Sequence, residues 1–178
     1  GILAELIAQD AQNACLAVLF DPESAARAAE AGEGATVTLA LGAKTGGAPE
    51  ERPLEGEFEV MRVTNGEFLA TGPFYGGSRM SLGTTVRLRK NGVQVVVASR
   101  KGQCADKEMI RHTGLDPREL GILVVKSSVH FRADFGPMSS EVLVVESPGP
   151  NTADLAKLPF TRLRKGLRIT PMGDGFGG

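Results

Sequence analysis

The sequence predicts an α+β fold with α/β character, in which short helices flank a mixed sheet. Asn-Gly pairs at 65–66 and 91–92 each separate two runs of β-type residues, which predicts an antiparallel meander of two hairpins. Two similar apolar runs, ILVV at 122–125 and VLVV at 142–145, are too far apart for a tight hairpin. Their spacing is typical of a parallel βαβ unit, so the sheet is expected to contain both strand directions.

The first forty-one residues predict helix, strand, helix and strand in turn. The apolar residues of segment 2–13 fall on one helical face, and CLAVLF at 15–20 suits a short buried strand. Asp21 and Pro22 fit the N-cap and first position of an alanine-rich helix that ends at Gly32. The alternating segment ATVTLAL at 35–41 predicts the second strand.

The middle of the chain is rich in predicted strands. Runs 57–63 and 68–71 flank the first Asn-Gly pair, and runs 85–89 and 93–98 flank the second. Between the hairpins, the glycine-rich stretch 72–83 is longer than a hairpin connection needs, which favours a functional loop. Segment 105–113 predicts a short helix, which Gly114 would end.

Charge and composition exclude several classes of partner. The chain holds 20 basic and 21 acidic residues, so its charge gives no reason to expect binding to nucleic acid or an anionic membrane. Polar residues interrupt the first apolar stretch, so neither a signal peptide nor a membrane span is predicted there. Two scattered cysteines form no metal or redox motif and favour a cytoplasmic protein with reduced thiols.

The chain is expected to be one domain, residues 1–165, followed by a loosely ordered tail, residues 166–178. It opens on a lone glycine that leads directly into an amphipathic helix. This start favours a domain that belongs to a longer protein.

The strongest candidate site follows the run at 122–125, where open α/β sheets place their ligands. A lysine, two hydroxyls, an imidazole and a guanidinium come together there, and such groups hold a carboxylate or phosphate. The residues are Lys126, Ser127, Ser128, His130 and Arg132. Two alternatives remain open: the serines only cap the following helix, or Ser127 or Ser128 acts as the nucleophile of a self-contained serine hydrolase.

Metal binding within the chain has little support in the sequence. His112 and His130 are its two histidines, whereas a catalytic zinc takes about three protein ligands. On a helix, His130 and Asp134 would share a face and could both contact one ion. The alternative is that His130 forms hydrogen bonds near the strand end and Asp134 pairs with an arginine. We assign no metal ligand.

A second candidate site lies in the glycine-rich stretch. Tyr75 is followed by two glycines, which allow close backbone approach to a ligand, and Tyr75 and Arg79 could orient a polar substrate. The alternative is a surface loop that needs positive φ. The basic run at 162–168 is interpreted as a solvated edge, because it is short and the chain is nearly neutral.

Three stretches resemble the C-terminal domain of the microcystinase C family of metallopeptidases. They begin at Asp21, Gly72 and Ile122, and the most specific runs are TGPFYGG and VVKSSVHFRADFGP. Their order and spacing agree with the family from about residue 3 to about residue 163; the end of the chain matches no family feature.

The resemblance implies part of a zinc-dependent hydrolase that acts on peptide or amide substrates. It implies that the metal ligands lie in a larger N-terminal domain, with zinc bound by the full-length parent and not by this chain alone. This domain would then contribute substrate binding or cleft closure through His130, Lys126 and Arg132, with its own N-terminal catalytic domain as partner. The alternative is a non-catalytic binding or dimerisation module, which would make a homo-oligomer.

Overall fold

The computed structural model describes residues 1–45, 52–145, 147, 155 and 158–177. Among these residues there are eight strands: β1 (Ala14–Phe20), β2 (Thr36–Leu41), β3 (Leu54–Thr64), β4 (Glu67–Leu69), β5 (Arg79–Ser81), β6 (Thr85–Lys90), β7 (Val93–Ala98) and β8 (Ile122–Val125). The same residues contain four α-helices: α1 (Ile2–Ala8), α2 (Pro22–Ala31), α3 (Glu108–Arg111) and α4 (Phe131–Phe135). The mixed sheet with short helices confirms the predicted fold class.

The main sheet has six strands in the order β2-β3-β6-β7-β1-β8, and β4 and β5 form a separate two-stranded sheet. Strands β2, β3, β6 and β7 pair antiparallel, whereas β1 is parallel to both β7 and β8. The carboxyl ends of β7, β1 and β8 therefore meet at one edge of the sheet.

Strand β7 is the centre of the core and is buried on both faces. Val95 and Val97 pack into the cluster on the α2 side, and Val96 and Ala98 pack into the cluster on the α3 and α4 side. This alternation is what period-two side-chain geometry produces in a strand covered on both faces. β7 is therefore a rigid element from which the following loops extend.

The start of α2 has the predicted cap. Asp21 Oδ1 accepts the Ser24 N–H at 3.1 Å, and Pro22 occupies the first helical turn. Asp21 Oδ2 also accepts the Gly42 N–H at 3.0 Å. Burial raises the pKa of the Asp21 carboxyl, but hydrogen bonds from Gly42, Ser24 and Lys44 outweigh it and leave the pKa below its ordinary value.

The second Asn-Gly pair forms the predicted hairpin. Strands β6 and β7 pair antiparallel up to Lys90 and Val93, and Asn91 has a φ of 54°. Position 92 needs glycine for another reason, because a Cβ there would lie 2.5 Å from the Ala11 carbonyl oxygen.

The prediction of a hairpin at Asn65-Gly66 is wrong. β3 pairs with β2 and β6, and β4 leaves the main sheet to pair with β5. Gly66 has the expected positive φ of 70°, but its carbonyl accepts the Leu82 N–H and its Cα faces the Gly83 carbonyl. Asn65 Oδ1 accepts the Glu67 N–H, so the pair forms a local bend and not a strand reversal.

The prediction of a second parallel strand at 142–145 is also wrong. β8 forms as predicted, but its parallel neighbour is β1 from the start of the chain. Residues 142–145 form no strand, and Leu143 and Val144 are 74% and 77% exposed. β1 pairs with one side of β8. In place of the predicted βαβ unit, the chain forms a strand, a short helix and an exposed apolar segment.

Part of the predicted tail contains local pairing. The Gly166 N–H donates to the Phe176 carbonyl at 2.9 Å, and Arg168 forms an antiparallel bridge with Gly175. The boundary at 165 and the loose order of 166–178 stay predictions, and residue 178 lies outside the described residues. Within the described ranges, no helix is long and apolar enough to cross a membrane.

Candidate functional site

The candidate site lies beyond the carboxyl ends of β7 and β8. Gln103 lies in the irregular segment after β7, and the segment from Lys126 to His130 follows β8 and leads into α4. Because both strands are parallel to β1, their ends place these segments at the same edge. Open α/β sheets bind ligands in this position.

His130 joins the two candidate stretches. Its ring stacks on Phe74, with centroids 4.0 Å apart and an interplanar angle of 24°. Phe74 also meets Tyr75 edge-on at 4.6 Å, and Tyr75 packs against the core. His130 and Phe74 are both exposed, so this ring pair is accessible to a ligand.

Gln103 orients His130 and Ser127 together. Its Nε2 lies 3.0 Å from His130 Nδ1 and 3.0 Å from Ser127 Oγ, and its Oε1 lies 3.3 Å from His130 Nδ1. The amide can therefore donate to Nδ1 or accept from it, according to the imidazole tautomer. In either arrangement Gln103 binds Nδ1, and among the hydrogen bonds of the described residues none uses His130 Nε2.

Ser127 has the contacts expected of a capping residue. Its Oγ accepts the Phe131 N–H at 3.3 Å and the Gln103 Nε2–H at 3.0 Å. Among the hydrogen bonds of the described residues, none joins Ser127 to His130. The geometry therefore favours the capping alternative for Ser127 over a Ser–His nucleophile.

Three further predicted site residues lie in the same segment as His130 and carry exposed polar groups. The backbone of Lys126 is fixed by its N–H to Ala17 at 3.0 Å and by its carbonyl to Cys104 at 3.3 Å. The side chains of Lys126, Ser128 and Arg132 are exposed, and the Arg132 guanidinium lies 5.2 Å from the Phe131 ring centroid. Two cationic groups therefore belong to the segment that carries His130.

Arg79 lies in the separate β4–β5 sheet. It pairs with Leu69 across the β4–β5 sheet and lines a separate groove of about 480 Å³ with Phe68 and Met80. No contact described for Arg79 reaches His130, so the structure does not unite Arg79 with the other predicted site residues.

The buried carboxylate of Asp134 fixes α4, the helix that follows His130. Asp134 accepts the Lys107 N–H at 2.7 Å and pairs with Lys107 Nζ at 2.8 Å, and its side chain is 7% exposed. The partner of Asp134 is therefore Lys107 and not an arginine. His130 is exposed while Asp134 is buried, so the i, i+4 spacing does not bring them together as a ligand pair.

A second buried carboxylate holds the glycine-rich loop. Asp106 Oδ2 accepts the Gly72 N–H at 2.7 Å, and its Oδ1 accepts the Glu108 N–H at 2.9 Å. A Cβ at position 72 would lie 2.6 Å from Asp134 Oδ2 and 3.0 Å from Asp106 Oδ2. Gly72 thus fits between the two carboxylates, directly before the turn that carries Phe74.

Phe74, Gln103, Asp106 and Lys107 were not predicted as site residues. The location of Gln103 and Asp106 after a parallel strand is a usable signal, but it depends on knowing that β7 is parallel to β1. Asp106 lies inside the predicted helix 105–113 but two residues before the observed start of α3, where its carboxylate accepts the Glu108 N–H. Nothing in the sequence around Phe74 indicates its ring partner.

No metal centre forms in the described part of the chain, because no three histidine, cysteine or acidic side chains gather there. Burial lowers the pKa of His112, whose ring stacks on Phe68 at 5.0 Å. Burial raises the pKa of the Cys104 thiol far above its ordinary value. Both side chains are therefore uncharged near neutral pH and act as packing groups.

The family model described as MlrC C-terminus matches residues 1–162. Microcystinase C of Sphingomonas sp is 29% identical over 142 residues, which are 80% of this chain and 27% of that protein. The crystal structure of a candidate metallopeptidase from Mesorhizobium sp. BNC1 shares the fold, with a TM-score of 0.77 at 24% identity over 90% of this chain. This chain covers 32% of that one, so it spans about a third or less of each relative. Since the family model matches most of its length, the chain belongs to the MlrC C-terminus family.

Proposed function

We propose that this domain is the substrate-binding part of a zinc-dependent metallopeptidase, a hydrolase of peptide or amide bonds. The observation that carries the proposal is the exposed Phe74–His130 ring pair at the carboxyl ends of parallel strands, on a segment that also carries the exposed Lys126 and Arg132. The family and its microcystinase C relative support the reaction class. The described residues do not fit a zinc site, so we assign the metal ligands to a larger N-terminal domain.

The two cations would attract negative charge on the substrate. Lys126 and Arg132 can pair with a peptide carboxylate, and Arg132 offers a planar fork that suits a carboxylate. His130 would form a hydrogen bond through Nε2 to a carbonyl or to charge that develops during hydrolysis. The Phe74 ring would exclude water from that bond.

The loop that carries Phe74 would form one edge of a cleft that closes on the substrate. Asp106 fixes the start of this loop through the Gly72 N–H, while Gly76 and Gly77 follow Tyr75. A fixed base with a glycine-containing tip allows a small movement of the ring without loss of the anchor.

The proposed partners are an N-terminal catalytic domain of the same polypeptide and a peptide or amide substrate, in the cytoplasm. The reduced, buried Cys15 and Cys104 support that compartment. A non-catalytic interaction module is the second candidate. The exposed apolar residues at 142–145 favour it.

Zinc binding tests whether the metal ligands belong to the N-terminal domain and not to this chain. We expect calorimetric titration of the 178-residue chain to give no tight one-to-one binding, and elemental analysis of the full-length protein to find the same zinc content before and after His130→Ala. The reason is that His130 has Gln103 and Phe74 as its neighbours and joins no group of ligands among the described residues. Tight binding to the chain that disappears in His130→Ala would contradict the proposal.

A further inference from the structure

Exposed apolar side chains are concentrated near the end of the chain. Thirteen large hydrophobic residues in the described ranges are exposed, and nine of them follow residue 141. These nine are Val142, Leu143, Val144, Val145, Leu155, Leu158, Phe160, Leu167 and Met172. We call the described residues from 142 onward the C-terminal arm. Such a concentration on a domain surface marks an interaction site.

The arm begins beside an open edge of the fold. β8 is the last strand of the sheet, and its Ile122 is 43% exposed. Val145 lines a shallow cavity of about 650 Å³ together with Ile122 and with Ile2 and Leu6 of α1. An unpaired strand edge beside apolar side chains is a surface that a second protein element can cover.

The charge of the arm is opposite to that of the rest of the chain. The described residues of the arm include four basic residues and one acidic residue, Asp174, whereas the whole chain holds 20 basic and 21 acidic residues. The four basic residues, Arg162, Arg164, Lys165 and Arg168, are all exposed. A partner that covers the arm must therefore offer an apolar surface with acidic side chains around it.

We propose that the C-terminal arm docks on the N-terminal domain of the full-length protein, at an apolar surface rimmed by acidic side chains. The inference rests on the proposed two-domain parent. The chain spans 27% of microcystinase C and 32% of the solved relative, so each relative has a large additional surface. Glu141 and Glu146 flank the apolar run at 142–145, which disfavours an anionic membrane as the surface that covers this run.

Docking of the arm would also orient the candidate site. Residues 142–145 come soon after α4, and α4 carries Arg132 and Asp134 directly behind His130. Since Asp134 fixes α4 to Lys107, an arm held by the partner positions the site segment relative to that partner.

Hydrogen exchange in the full-length protein tests this interface. We expect the amides of 142–145 to exchange at least about tenfold more slowly in the full-length protein than in the 178-residue chain. Leu143→Asp should abolish that protection, and it should leave the unfolding temperature of the 178-residue chain unchanged because Leu143 is 74% exposed there. Leu69→Asp is the matched control, since Leu69 is 54% exposed on the separate β4–β5 sheet, and it should keep the protection.

Three outcomes would overturn the inference. They are equal exchange in both proteins, protection of the 178-residue chain that rises with its own concentration, and protection that needs anionic vesicles. The second outcome would indicate a second copy as the occupant, and the third a membrane. His130→Ala should leave the exchange unchanged. A protected arm together with unaltered kinetics of His130→Ala would therefore reject the catalytic proposal and retain the docking surface.

Discussion

Gly72→Ala is expected to lower the free energy of unfolding by about 2–3 kcal/mol, which corresponds to about 5–10 °C in unfolding temperature. The new methyl group would lie 2.6 Å from Asp134 Oδ2 and 3.0 Å from Asp106 Oδ2. Neither carboxylate can retreat freely, because Lys107 holds Asp134 and the Glu108 N–H holds Asp106. The loop must move instead, and the Gly72–Asp106 hydrogen bond is lost.

Gly136→Ala is the matched control. Gly136 follows α4 and has a φ of −53°, and a methyl group on its Cα would meet no atom within 4 Å beyond its chain neighbours. The change should therefore be neutral or slightly stabilising. Urea unfolding of both variants at one pH measures the difference. Equal stability of Gly72→Ala and the native chain would contradict the close packing of this loop between two carboxylates.

Asp134→Ala is expected to destabilise the fold by about 3 kcal/mol. The change leaves the Lys107 ammonium without its carboxylate and the Lys107 N–H without its acceptor, in a place where Lys107 is 21% exposed. Partial solvent access to Lys107 keeps the expected loss at the lower end of the range for buried pairs. The same variant should loosen α4 and thereby the segment that carries His130.

Glu59→Ala is the control for Asp134→Ala, because it removes an exposed ion pair whereas Asp134→Ala removes a buried one. Glu59 pairs with Arg89, and both side chains are well exposed, so this change should cost no more than about 1 kcal/mol. Denaturant unfolding of the two variants supplies the comparison. A loss in Asp134→Ala as small as that in Glu59→Ala would mean that the Lys107–Asp134 pair does not support the site.

The sequence predicts the main elements of the fold because their signals are local. The strand pattern at 35–41, the Asp21 cap and the Asn91-Gly92 turn each depend on neighbours in the chain, and each forms as predicted. Asn65-Gly66 carries the same local signal, but β3 pairs with β2 and with β6, which begins about twenty residues further on. The competition among long-range strand pairings decides this point, and local turn chemistry does not.

The prediction of a strand at 142–145 is wrong for a related reason. The run has the composition of β8 but pairs with no strand; β1 provides the parallel neighbour on one side of β8, and among the described residues no strand pairs with the other side. Composition indicates that such a segment needs burial, and it does not indicate which surface buries it. We infer that this surface belongs to another domain.

The sequence indicates where in the chain the candidate site lies, but it does not indicate which side chains contact one another there. The polar residues after β8 mark the strand end, and Lys126, Ser127 and His130 lie there. The pairing of Phe74 with His130 and the bridge by Gln103 depend on two loops that are distant in sequence and converge only in the fold. Arg79 is the opposite case. It is close to Tyr75 in the sequence, but it pairs with Leu69 across the β4–β5 sheet.

The most direct test of the proposed function is kcat/KM for peptide hydrolysis by the full-length protein, with short peptides as substrates and His130→Ala compared with the native enzyme. We expect His130→Ala to lower kcat/KM at least tenfold, or about 1.4 kcal/mol of transition-state stabilisation, with unchanged zinc content and unfolding temperature. Val129→Ala, a neighbouring exposed residue, should leave kcat/KM unchanged. Native kcat/KM in His130→Ala would show that this domain contributes no catalytic or substrate contact through His130.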